Sequence, residues 1–163
     1  MTSALGDWSN YFIAQAGASA ALAGLLFVAL SINIEHILKS PWLPPRAAAT
    51  MVLLVGSLVE ALVALWPHET LVVIGAEELV ASVVVWAFVL RLMVAGAPPK
   101  EYAAPTRLGN AIAQLATLPA IGGAVAIVAF GATGGAYAIA FAMLMAIVVA
   151  FLNSWVLLVE ILR

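Results

Sequence analysis

Three glutamates, Glu60, Glu77 and Glu78, stand inside long apolar stretches with no lysine or arginine beside them. Glu60 lies six residues before Trp66, and Glu77 and Glu78 lie seven and eight residues after Thr70. If both stretches are helices joined at His68-Glu69, all three acids sit at nearly one depth, roughly 9–12 Å from the turn. A charged carboxylate at such a depth in hydrocarbon costs several kcal/mol unless it is paired, hydrated or neutralised. Three chemistries meet that demand: protonated acids in a hydrogen-bonded network, a site that binds a cation or relays protons, or a water-filled vestibule. Consecutive helical residues point about 100° apart, so Glu77 and Glu78 cannot both face Glu60. Glu77 follows Gly75 by two and precedes Ala81 by four, which favours Glu60 and Glu77 as the facing pair. Glu78 is then expected at an oligomer interface or among headgroups. Gln15, near the same end of the first stretch, is placed to hydrogen-bond Glu60 or Glu77.

The elements that carry these acids follow from composition. Of 163 residues, 66% are hydrophobic and 9% charged, and mean hydropathy is +1.17. Soluble domains carry about 25% charged residues, so most of this surface must face lipid. Five apolar segments are long enough to cross a hydrocarbon core needing about 20 helical residues. They run over about 11–34, 47–66, 71–95, 108–130 and 136–162 of a single transmembrane domain covering 1–163. The first has a helical continuation toward Leu38 open to it before Pro41, Pro44 and Pro45 end it. Pro98, Pro99 and Pro105 mark the one real loop, and Pro119 predicts a kink in the fourth segment. The fold class is thus an all-α, polytopic bundle of five spans; the alternative is four spans with the fourth segment re-entrant at Pro119 and Gly122-Gly123. The first apolar run is too long, and its leading residues too poor in basic groups, for a signal peptide.

Basic residues orient the bundle. All six, Lys39, Arg46, Arg91, Lys100, Arg107 and Arg163, fall at one side of a five-span chain. The positive-inside rule puts that side in the cytoplasm, with the N-terminus outside. The acids then belong to the outer leaflet. Trp8, Tyr11, Trp66 and Tyr137 fall near the outer interface and Trp42 and Trp155 near the inner one, as an aromatic belt requires.

Small residues predict how the helices meet. Ala16, Ala20 and Gly24 repeat at four-residue spacing, extended by Gly17 and Ala21, and Gly56 with Ser57 shares a face with Glu60. Such strips let membrane helices approach closely, either within the bundle or in a homo-oligomer. Asn110, Gln114, Thr117, Asn153 and Ser154 lie toward the inner side and make either separate hydrogen bonds or a polar path. Glu60, Glu77, His68 and Glu69 offer oxygen and nitrogen ligands, but without the Glu-x-x-His pairs of di-iron bundles, so a metal stays an open question. His36, with Asn33 and Glu35, reads as an interfacial cap. With no cysteine, thiolate chemistry and disulfides are excluded. A net charge of −2 without a basic stripe argues against a nucleic-acid partner. Catalytic motifs are missing, so neither enzymatic activity nor a cofactor is expected.

The run Gly17-Ala18-Ser19-Ala20-Ala21-Leu22-Ala23-Gly24-Leu25-Leu26-Phe27-Val28-Ala29, then Ser31-Ile32-Asn33-Ile34-Glu35, Pro41, Leu43-Pro44, Arg46-Ala47 and Gly75-Ala76-Glu77, carries a resemblance over roughly the first 80 residues. It resembles short bacterial integral membrane proteins commonly labelled modulators of FtsH protease. The resemblance implies a bacterial inner membrane. Two functions are expected: a channel- or transporter-like protein handling a cation or proton at the outer carboxylates, or a non-catalytic accessory or regulatory subunit of a membrane complex such as a membrane protease. The partners expected are the lipid bilayer, further copies of the chain, and in the second case another membrane protein.

Overall fold

The computed structural model describes residues 5, 8–67, 70–97 and 111–161, with side chains as far as 155. Five of its helices are long and apolar enough to cross a membrane, so the five-span bundle is the fold and the re-entrant alternative falls away. Helix α1 spans Ser9–Ile32. Asn33 interrupts it, its side-chain amide donating to the Ala29 carbonyl at 2.9 Å, and a short α2 follows over Ile34–Leu38. Helix α3, Leu43–Ala64, begins four residues earlier than the sequence predicts, because Pro44 and Pro45 occupy its first turn. There the missing N–H groups would have had no intrahelical partner.

Helix α4 covers Leu71–Ala95 as expected, with the Thr70 hydroxyl accepting from the Val73 N–H. Residues 98–110, with Asn110, lie outside the described residues, as do His68 and Glu69. The fourth span, Ala111–Phe130, is broken rather than bent: a helical turn over 111–115 gives way at 116–117 to α5, Leu118–Phe130. Pro119 lies in the first turn of α5, where it cannot continue the ladder back to Leu115. Gly131 closes α5 at φ +60°, a left-handed conformation suited to glycine, and α6 follows over Gly135–Ile161.

Helix α3 is the hub. It packs against α1, α4 and α6, while α4 meets α5 and α5 meets α6. Four helices therefore close a ring and α1 lies outside it, against α3. In the most apolar stretch of each helix, 56% of α3 is buried against 22% of α1 and 17% of α4. The outward faces of these two are apolar, with Leu25, Phe27, Val80 and Phe88 all more than half exposed, as lipid contact requires. At one end Trp8 packs edge-on against Tyr11 and Tyr137, and the Tyr11 hydroxyl donates to the Ala140 carbonyl of α6 at 2.7 Å. This belt clamps α1 to α6.

Glycines set the closest approaches. A Cβ on Gly123 would collide with the Gly135 carbonyl and one on Gly135 with the Gly123 carbonyl, so α5 and α6 touch backbone to backbone. A Cβ on Gly56 would come within 2.6 Å of Val85, and one on Gly75 within 2.5 Å of Ile127. The strip predicted on α1 behaves otherwise. Ala16 is buried, but Gly17, Ala20, Ala21 and Gly24 are exposed, and a Cβ on Gly17 or Gly24 would meet nothing. The intramolecular face of α1 is instead Phe12, Gln15, Ala16, Ser19 and Leu26.

Gly123→Ala or Gly135→Ala should destabilise the bundle by about 1–3 kcal/mol, since backbone has to move. Gly17→Ala and Gly24→Ala should change stability by no more than about 0.5 kcal/mol. Reversible unfolding in mixed micelles reads both; an equal loss at all four positions would contradict this packing.

Candidate functional site

Polar side chains enter the bundle as pairs at helical spacing. Gln15 and Ser19 on α1, Ser57 and Glu60 on α3, and Glu78 and Ser82 on α4 are each three or four residues apart, which puts both members of a pair on one face. All six are buried. The Gln15 amide donates to the Ser57 hydroxyl at 2.9 Å and to the Met143 carbonyl of α6 at 2.9 Å. Ser19 also donates to Ser57, at 3.2 Å. One serine oxygen thus accepts from two residues of α1, joining the outlying helix to the hub.

On its other side α3 turns Glu60 toward α4. Glu60 is 5% exposed and Glu78 0%, and the two carboxyls lie close enough to act on each other electrostatically. Ser82 stands beside Glu60 and donates its proton to the Glu78 backbone carbonyl at 2.6 Å. Both carboxyl oxygens of Glu78 are buried without a hydrogen-bond partner. Lys39 and Arg46 lie beyond or in the first turn at the far end of α3, and Arg91 is near the far end of α4, so no described cation reaches the pair. Close approach at Gly56 and Val85 holds α3 and α4 together about one turn deeper than the acids.

The facing acid is therefore Glu78, not Glu77. The face that α4 turns inward is fixed by Ile74, Gly75, Glu78, Ser82 and Val89. Glu77, about 100° around the helix, is exposed. The expectation that Glu78 sits at an interface or among headgroups is overturned, since Glu78 is fully buried within the bundle and Glu77 is the exposed acid. Ser82, four residues after Glu78, is the signal that sequence reading passed over; Ala81, used to favour Glu77, is no comparable marker. Gln15 was expected on a glutamate and instead bonds Ser57 and a main-chain carbonyl. Ser57, expected as a packing residue, is the hydrogen-bond centre, and Ser19 was missed.

The remaining polar residues make separate contacts. The Trp86 indole donates to Gln114 at 3.0 Å, Thr117 to the Ala113 carbonyl and Ser154 to the Ala150 carbonyl at 2.8 Å. No continuous chain from these to the acids is formed among the described residues. Glu35 and His36 are exposed on α2. Among the described residues, no three histidine, aspartate or glutamate side chains gather as a metal-holding group. Compared with family models, with characterised proteins and with solved structures, the chain matches none.

Ser57→Ala would strand the Gln15 and Ser19 donors inside the bundle and should cost about 1–3 kcal/mol. Glu78→Met removes two stranded oxygens and should leave stability unchanged or raise it. Unfolding of the two variants side by side checks the contrast, and a large loss in Glu78→Met would mean that the carboxyl has a partner.

Proposed function

We propose that this chain is a small multi-pass membrane protein that takes up and passes a proton or small cation at the Glu60–Glu78 pair. The observation that carries this reading is the Glu78 carboxyl, fully buried, without a hydrogen bond and next to a second acid. Two negative charges in so apolar a place repel each other and have lost their water. A bound positive charge relieves both costs. Gln15, which holds Ser57 on the helix that bears Glu60, is a supporting residue rather than a ligand. The protein acts without enzymatic chemistry.

The membrane is the bacterial cytoplasmic membrane, on the strength of the resemblance to proteins labelled modulators of FtsH protease. The six basic residues orient the chain with its N-terminus outside and the acid pair in the outer leaflet. The exposed strip of Gly17, Ala20, Ala21 and Gly24 favours a second reading, an accessory subunit of a membrane complex or a homo-oligomer. Small residues facing lipid leave room for another helix.

In proteoliposomes under a pH gradient, the wild-type chain should carry flux that Glu60→Gln/Glu78→Gln abolishes. Equal flux in both, or none in either, removes the transport reading. Reporter fusions should place the α3–α4 turn outside and residues 98–107 in the cytoplasm; the reverse would put the acids in the inner leaflet.

A further inference from the structure

Beside the buried pair is a carboxyl that it leaves unused. Glu77 adjoins Glu78 in sequence, is exposed on the outer face of α4, and acts electrostatically on Glu78. Around it that face is apolar, with Val72, Val73 and Val80 exposed. Ionisable residues in membrane spans nearly always face the bundle interior or water, so a glutamate here calls for a reason.

Its depth supplies one. The 25 residues of α4 make a rod of roughly 37 Å, longer than the roughly 30 Å of hydrocarbon. The seventh residue of α4 therefore starts only about 5–6 Å inside the apolar layer. Helical side chains lean toward the helix N-terminus, and for α4 that is the end at the α3–α4 turn. The Glu77 carboxyl consequently reaches up to the headgroups and their water, while Glu78, on the next residue, is sealed inside.

The donor inventory of the pair points to a proton as its ligand. Cations such as calcium and magnesium take about six or more oxygens. The side chains that α3 and α4 bring to the pair are the two carboxyls and the Ser82 hydroxyl, while the Gln15 amide nitrogen donates to Ser57 and Met143. Ser82 gives its hydroxyl proton to the Glu78 carbonyl and stands beside Glu60. From α3 the group facing Glu78 is Glu60, and α5, the other helix packed on α4, has no titratable residue over Leu118–Phe130.

We infer that Glu77 is the entry carboxyl of this site: it exchanges the proton held between Glu60 and Glu78 with water at the α3–α4 turn. This rests on the pair being a proton site, as proposed above, but not on flux across the membrane. Glu77 takes a proton from interfacial water and gives it to the Glu78 carboxylate. It is left as a carboxylate and reloads from water. Because the two side chains diverge by about 100° and the Glu78 carboxyl is sealed from solvent, the transfer needs a bridging water admitted when the packing around Glu78 opens briefly.

Infrared spectroscopy of the full chain in lipid vesicles tests this, reading the protonated-carboxyl C=O band and its hydrogen–deuterium exchange. The wild type should show the band near neutral pH, and Glu60→Gln/Glu78→Gln should lose it. Glu77→Gln should keep its amplitude while slowing exchange by roughly a hundredfold, and Glu77→Asp should restore much of the rate. Unchanged exchange in Glu77→Gln overturns the inference, as does a band absent from the wild type or surviving the double substitution. Slowed exchange in vesicles that carry no flux would support the inference while the transport reading falls.

Discussion

Two buried glutamates on adjacent helices, close enough to act on each other electrostatically and with no basic side chain near them among the described residues, form the constraint around which the other contacts are arranged. Their charges would cost several kcal/mol each if left bare, and burial removes the water that would otherwise screen them. The hairpin of α3 and α4 nevertheless holds them together, fastened one turn deeper where Gly56 lets Val85 press against the backbone. Relaxing that contact would let water reach the pair. The glycine on α3 and the acid on α3, four residues apart, are therefore one device, a close crossing that keeps a costly pair dry.

The hub helix serves three neighbours with three kinds of contact. Toward α1 it offers the Ser57 oxygen, toward α4 the Glu60 carboxyl and the Gly56 notch, and toward α6 an apolar surface whose polar link is made by Gln15 reaching the Met143 carbonyl. Membrane helices gain little from apolar contact with each other, because lipid is as apolar as leucine. Hydrogen bonds and close fit therefore decide orientation. The rotation of α1 is fixed by Gln15 and Ser19 on one serine oxygen, not by its run of alanines and glycines.

How much of this could be read from the sequence depends on what signal each feature leaves. The five spans were legible because hydropathy and turn residues act over many positions at once, and α4 begins at Leu71 and ends at Ala95 as expected, while α3 begins four residues early. Prolines were read as breakers at 44 and 45, whereas a first-turn position makes them compatible with helix. The choice between Glu77 and Glu78 turned on 100° of rotation, and hydropathy is blind to rotation when a helix is apolar all round. Only polar partners mark the inner face of such a helix, and Ser82 was that mark. The strip on α1 faces away from the rest of the chain for a related reason. Small residues show where a helix could be approached, not that a neighbour in the same chain does so.

The other buried hydroxyls show what purely structural polarity looks like here. Thr50 donates to the Arg46 carbonyl at 3.0 Å and Ser82 to the Glu78 carbonyl at 2.6 Å, each returning its proton one turn back along its own helix. Ser19 and Gln15 find acceptors across a helix interface. In each case the group is neutral and satisfied, so its burial costs little. Glu78 is as buried as they are, and its carboxyl oxygens have no hydrogen-bond partner. A side chain needed only to join helices would do better as glutamine or serine, which cannot strand a charge. What a carboxyl adds over either is the capacity to gain and lose a proton, and that capacity gives an acid a use in this position.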